Sequence, residues 1–266
     1  MNQSQEILVK DLKEKGFSQN SNWLESKEID FFKKIIQEIK RSKGDRKSHL
    51  PFKKSQIILK IIKGEIKDIK LGLYLYNLSK KLKLIDISDS FFDADSELVD
   101  IDCYVSEKSN KPVLDWHVDK AYSGKEKVSE LVKAEDFGLK FIFYLTDVSP
   151  ENGCLNYIPY SHKVAFALKK AIYEKEIEYS PYWKMQDFFN LIKKNERIIL
   201  KYVSSSIYKK WIINMNDLKN NNQKDKFSNT ISKGGAIIFD ESGIHKGTAP
   251  TLNDRVIFRY IFKKKR

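Results

Sequence analysis

Cysteine, histidine and long apolar runs are all scarce in this chain of 266 residues. Cys103 and Cys154 are the only cysteines, which excludes a disulfide framework and a thiolate metal site and fits a reducing compartment. Nowhere do eighteen apolar residues run together, and residues 1–10 contain no apolar signal core. A membrane span and a secretory leader therefore lack support, and the cytoplasm is the expected location. Internal repeats and low-complexity segments are missing too, apart from a basic tail at 263–266. Acidic residues are outnumbered, 36 against 49 basic, for a formal charge of +13. Such an excess can attract nucleic acid, an anionic membrane or small anions. Because it consists mostly of lysine spread along the chain, the favoured reading is solvated surface.

What is present is a packed globular composition, with 41% hydrophobic and 12% aromatic residues, of a length that suits one domain spanning 1–266. Residues 1–95 read as mainly helical. Ile29, Phe32, Ile35, Ile36 and Ile39 recur at helical spacing over 26–43, and two more helices are expected between 54 and 82. Near Glu97 the period changes to that of strands. Residues 137–146 alternate, with Phe137, Leu139, Phe141, Phe143 and Leu145 on a core face and Lys140, Ile142, Tyr144 and Thr146 on what reads as a pocket wall. Asn152 and Gly153 supply turn chemistry, so 137–158 reads as a hairpin. Strands return at 235–240 and 255–262.

The expected class is α+β: an antiparallel jelly roll formed by 96–163 and 230–262, with the N-terminal helices packed on one sheet. Residues 164–229 form a helical insertion, a possible lid. Its aromatics Phe166, Tyr173, Tyr182, Trp183, Phe188 and Phe189 either line the pocket mouth or, as the favoured reading has it, fill a helical core.

His117 and Asp119 are two apart, so on an extended strand both side chains point to the same side. Two histidines and one carboxylate on one face of an octahedron suit an iron(II) centre that must keep positions open. Three other histidines compete for the third place. His49 lies in a basic connection and reads as solvated, His162 follows Ser161 and reads as structural, and His245 follows the strand 236–240. Ten positions further on stands Arg255, whose guanidinium fork matches a carboxylate; Arg259 shares its strand face and is the weaker candidate.

The segment Asp115-Trp116-His117-Val118-Asp119 resembles the tryptophan-His-x-Asp motif of the phytanoyl-CoA dioxygenase family. Residues 143–163, FYLTDVSPENGCLNYIPYSHK, and 234–255, GGAIIFDESGIHKGTAPTLNDR, are similar to that family's turn segment and its final strand, distal histidine and arginine. The likeness is strong over 97–163 and 230–262, weak over the N-terminal helices, and nearly absent over 164–229. Tyr160 stands where the family usually has glycine, and Thr251 where asparagine often follows the proline.

The resemblance implies a double-stranded β-helix, the cupin-like jelly roll, with iron(II) held by His117, Asp119 and His245. It also implies 2-oxoglutarate as cosubstrate, bound through Arg255, and dioxygen as oxidant. Thr248 is a further candidate donor to the cosubstrate, although the family's usual hydroxyl falls at Gly247. Lys140 and Tyr144 enter from strand alternation as pocket-wall donors. The implied reaction hydroxylates a small molecule while releasing succinate and carbon dioxide, and Asp119 argues against halogenation, whose enzymes carry a small residue there. The rival reading is a non-catalytic jelly roll that binds anions or nucleic acid through its basic surface. Nucleic acid is disfavoured because the aromatic residues do not interleave with basic ones in a recognisable binding motif.

Overall fold

The computed structural model describes residues 3–43, 48–111, 113–119, 121, 138–219 and 226–265. Phe137, residues 220–225 of the polar stretch and Arg266 of the basic tail lie outside the described residues. Two antiparallel sheets face each other. The larger has six strands in the order β1 (Phe17–Asn20), β8 (Ala236–Asp240), β5 (Gly138–Tyr144), β10 (Arg255–Lys264), β3 (Ser96–Ser106) and β2 (Ser48–His49). The smaller has four, in the order β4 (Leu114–Val118), β9 (Ile244–Gly247), β6 (Leu155–Tyr157) and β7 (Ser228–Asn229).

Period-two alternation divides each strand of the large sheet between two environments. Leu139, Phe141 and Phe143 of β5, Ala236 and Ile238 of β8, and Val256, Phe258, Tyr260 and Phe262 of β10 pack outward. They meet α1 (Gln3–Lys15), α2 (Ser26–Lys43), α4 (Ile66–Lys81) and α5 (Leu84–Phe92) through Leu12, Ile36, Leu75 and Ile87. The intervening residues, Ile142, Tyr144, Ile237, Phe239 and Ile257, turn inward and meet Tyr157 and Leu155 of the small sheet. The expected helices over 26–43 and 54–82 are present, the second as α3 (Lys54–Ile62) and α4.

The expected hairpin over 137–158 is not one. β5 pairs with β8 and β10, whereas β6 pairs with β7 and β9, so the Asn152-Gly153 turn carries the chain from one sheet to the other. Gly153 supplies the positive φ of 74° that this turn uses, as the dipeptide suggests. What local sequence does not encode is the partner of each strand, and here the partners of β5 and β6 all come from the distant strands β7 to β10.

Helices α6 (Ser161–Tyr173), α7 (Met185–Lys194), α8 (Glu196–Ile199) and α9 (Ser205–Lys219) build a second core. Leu168, Ile172, Phe188, Ile199 and Trp211 gather there with Val118 and Ile244, which belong to the small sheet. Tyr182 and Phe188 are buried in it, and Tyr173 is exposed. α6 opens at Tyr160, held at φ 69°, a left-handed value where a glycine would be unstrained.

Candidate active site

Strands β4 and β9 run antiparallel with His117 directly opposite His245. Their rings lie 4.3 Å apart between centroids, both buried. Asp119, just past the end of β4, closes the group: its Oδ1 is 3.5 Å from His117 Nε2 and its Oδ2 3.4 Å from His245 Nε2. One ligand atom from each of the three lies within 4.8 Å of the others.

The second ring nitrogens explain why this cluster suits a metal. His117 Nδ1 donates to the Asp115 carbonyl at 2.6 Å, and His245 Nδ1 donates to the Gly243 carbonyl at 2.8 Å. Burial lowers the pKa of His245, favouring its neutral form. A neutral histidine that donates from Nδ1 presents a lone pair at Nε2, here aimed toward a carboxylate. Three electron-rich groups facing one another require a cation between them, and histidine anchored through its far nitrogen is the usual support for a metal ligand. Burial alone would raise the Asp119 carboxyl, but hydrogen bonds from His117 and His245, which need a proton on each Nε2 where a metal would otherwise sit, and the nearby Lys140 charge outweigh it and hold that carboxyl well below the ordinary range.

The turn that delivers His245 is built around Gly243. A side-chain carbon there would meet the Tyr157 hydroxyl at 1.9 Å, so only glycine fits. Ser161 Oγ accepts the Ile244 N–H at 2.8 Å, and Tyr157 donates to the Asp240 carbonyl at 3.1 Å. The Pro-Tyr-Ser-His segment read from sequence thus braces the strand that carries the distal histidine.

A cavity of about 260 Å³ opens beside the cluster, lined by His117, Asp119, His245, Lys140, Tyr144, Arg255 and Arg259 among others. Lys140 is buried and ion-paired twice, to Asp119 Oδ2 and to Glu241 Oε2 at 3.3 Å. Tyr144 is buried beside Arg255, and burial raises its pKa so that the hydroxyl keeps its proton. Arg259 donates to Asp102 Oδ2 at 2.7 Å. Arg255 has different company: Nη1 donates to the Gly153 carbonyl at 2.6 Å and Nη2 to Ser106 Oγ at 2.9 Å, while Nε has no partner. Among the described residues no carboxylate neutralises it. Asp254, its neighbour in sequence, accepts the Lys108 N–H at 2.8 Å.

Thr248 does not join this group. Its hydroxyl donates to the Cys154 carbonyl at 2.9 Å, and the residue is not part of the cavity wall. His49 is exposed and bonds Asp100 at 3.2 Å, and His162 is buried in α6. Of the insertion's aromatics, Trp183 alone reaches the cluster, its ring 5.2 Å from that of His117 and its carbonyl accepting the Val118 N–H at 3.0 Å.

Glu241, Asp102 and Ser106 were not singled out from sequence, and Trp183 was named only as one of six insertion aromatics read as pocket mouth or, by preference, helical core. Alternation carried a signal for three of them. Glu241 continues the inward series of Ile237 and Phe239, and Asp102 and Ser106 flank the inward Tyr104. For Trp183 no local pattern existed.

The sequence matches the family model described as phytanoyl-CoA dioxygenase over residues 12–255. The chain belongs to the phytanoyl-CoA dioxygenase family. As a member it is an enzyme, an oxygenase dependent on iron(II) and 2-oxoglutarate, and its His-Asp-His cluster is of the kind such an enzyme needs. Solved structures share the fold. The non-heme alpha-ketoglutarate-dependent carbocyclase SnoK from nogalamycin biosynthesis is 14% identical, with a TM-score of 0.57 over 99% of this chain and 84% of its own. The epimerase SnoN in complex with Fe3+, alpha-ketoglutarate and nogalamycin RO is 11% identical, with a TM-score of 0.53 over 98% and 84%. HygX from Streptomyces hygroscopicus, with nickel and 2-oxoglutarate bound, is 14% identical, with a TM-score of 0.53 over 100% and 87%. No curated protein matches the sequence. Among the described residues of this family member, no helix is long and apolar enough to cross a membrane.

Proposed function

We propose that this oxygenase hydroxylates a small-molecule substrate, with His117, Asp119 and His245 holding the iron(II) and Arg255 gripping the distal carboxylate of 2-oxoglutarate. The observation that carries the reading is the pair of histidines, each tied through Nδ1 to a main-chain carbonyl and each turning Nε2 toward one carboxylate. Iron(II) with 2-oxoglutarate supplies the oxidation: dioxygen is reduced, the cosubstrate loses carbon dioxide to become succinate, and a substrate C–H bond is oxidised.

The protein's own residues orient and insulate. Lys140 steers the Asp119 carboxylate by holding one of its oxygens, and Glu241 fixes Lys140. Arg255 is itself pre-positioned by Gly153 and Ser106, leaving its charge for an anion. Tyr144 is a protonated donor next to it. Charge balance supports the assignment. Among the described residues the three cations of the cavity wall, Lys140, Arg255 and Arg259, are matched in number by Asp119 in the wall and by Asp102 and Glu241 behind it, so a divalent metal is balanced by a dianion, which 2-oxoglutarate is. With both bound the described part of the wall has no charge left over, which favours a neutral reacting part of the substrate.

The test is product mass. Iron(II)-loaded protein is incubated with 2-oxoglutarate, dioxygen and a panel of neutral small molecules; hydroxylation adds one oxygen atom derived from dioxygen, matched by succinate. A product lacking two hydrogens, or an isomer of the substrate, would replace hydroxylation with desaturation or epimerisation.

A further inference from the structure

Helix α3 buries none of its residues. Its sequence nonetheless is rich in large aliphatics: Ile58 is 48% exposed, Leu59 51%, Ile61 60% and Ile62 77%, and Ile66 at the start of α4 is 61% exposed. Within α3 Ile58, Leu59, Ile61 and Ile62 are linked by spacings of three and four and so share one surface, and Ile66 opens the next helix four residues beyond Ile62. A nine-residue helix is marginal by itself, and an apolar surface of this kind on a soluble protein marks an interaction site. The surface extends along α4, where Leu73 and Tyr74 are exposed and Tyr74 meets Phe31 of α2 edge-on at 5.1 Å.

The rim of the patch is of one sign. α3 contains no acidic residue. Lys54, Lys63 and Lys70 are exposed, and among the described residues none of them is ion-paired. The two nearby acids turn inward, Glu65 and Asp68 both binding Lys60, at 2.5 and 2.8 Å.

We propose that α3 and the beginning of α4 dock this enzyme on an anionic lipid surface, the aliphatic side chains entering the headgroup boundary and the lysines meeting lipid phosphates. The pattern of exposed aliphatics with a lysine border is what such binding requires. Self-association through the same patch is opposed by charge, because a two-fold contact sets each lysine rim against its copy. α3 stands on the helical layer outside the large sheet, whereas the cavity opens on the inner face of that sheet, so attachment leaves the active site untouched.

The experiment is co-sedimentation of the full chain with vesicles of phosphatidylglycerol and phosphatidylcholine, and with phosphatidylcholine alone. Binding is expected to the anionic vesicles and to weaken as salt rises. Ile62→Glu with Ile66→Glu should reduce it at least tenfold, and each of Lys54→Glu and Lys63→Glu at least about fivefold. Thermal unfolding and 2-oxoglutarate binding of the variants should match wild type, which separates lost docking from lost fold. Failure of wild type to bind anionic vesicles, or binding that survives the isoleucine variants, overturns the proposal. A concentration-dependent dimer that Ile62→Glu dissociates would assign the patch to a second copy instead.

Discussion

Arg255 and Arg259 project from the same face of β10 into one cavity, but among the described residues only Arg259 has a carboxylate, that of Asp102 at 2.7 Å. Two residues of one type, two pleat repeats apart on one strand, therefore do different work. Arg259→Ala removes the guanidinium that pairs Asp102, which is fully buried, and should destabilise the protein by about 3–5 kcal/mol. Arg255→Ala removes hydrogen bonds to a charged cosubstrate, worth about 1.5–3 kcal/mol, and should weaken 2-oxoglutarate binding by one to two orders of magnitude. Calorimetric titration and thermal melts of both variants separate the effects. Lost cosubstrate affinity with an unchanged melt in Arg259→Ala would reverse the assignment.

Lys140 joins Asp119 to Glu241, which is buried and has no other ion pair among the described residues. Lys140→Met should therefore cost about 3–5 kcal/mol of stability, and adding Glu241→Gln should restore much of it, because the stranded charge is removed. Denaturant unfolding of the two variants checks this. No recovery in the double variant would mean that Lys140 acts chiefly on Asp119.

Two buried groups give opposite pH dependences. Burial lowers His162 to about 3, so the folded state resists a proton that the unfolded chain accepts below its ordinary 6.5, and stability falls as pH drops through that window. Burial raises Asp240 to about 7, against hydrogen bonds from the Ser242 N–H and hydroxyl, so its contribution is fully present below the ordinary 3.8 and is lost as pH rises toward 7. Between pH 4 and 6.5 the two slopes, each near 1.4 kcal/mol per unit, oppose one another. Asp240→Asn should leave the histidine slope alone, so stability measured by urea unfolding should drop more steeply on acidification than in wild type. An unchanged pH profile would contradict the protonated state of Asp240.

Tyr160 occupies a left-handed backbone position, φ 69°, with its ring under the Lys210 ammonium at 5.0 Å. Tyr160→Gly trades about 1–2 kcal/mol of backbone strain against the packing of a half-buried ring on the second core, and strain relief should win, leaving the variant more stable by up to about 1 kcal/mol. A lower melting temperature would show that ring packing outweighs backbone strain.

Much of this architecture could be read directly from residues. The alternation of β5 separated Lys140 and Tyr144 from Phe141 and Phe143 before any partner strand was known, and Ile29 to Ile39 marked α2. His117 and Asp119 stood out because they share a face of one strand. Pairing was not legible. The crossing of the Asn152-Gly153 turn between sheets, the short edge strand β1 and the approach of Trp183 to His117 all depend on distant segments. Helix α1 falls within the helical reading of 1–95 but has no bounds there, because its thirteen residues bury only Leu8, Val9 and Leu12, too few to set a period in so charged a stretch. Thr248 fell on the correct strand end, but its hydroxyl is committed to a main-chain carbonyl that no local pattern announces.

The central claim is the iron centre at His117, Asp119 and His245, and its most direct test is anaerobic titration of iron(II)-loaded protein with 2-oxoglutarate, followed by visible absorption. Wild type should develop the weak metal-to-ligand charge-transfer band of a chelated cosubstrate, and His245→Ala should not. A band of equal strength in His245→Ala, or none in folded, iron-replete wild type, would contradict it.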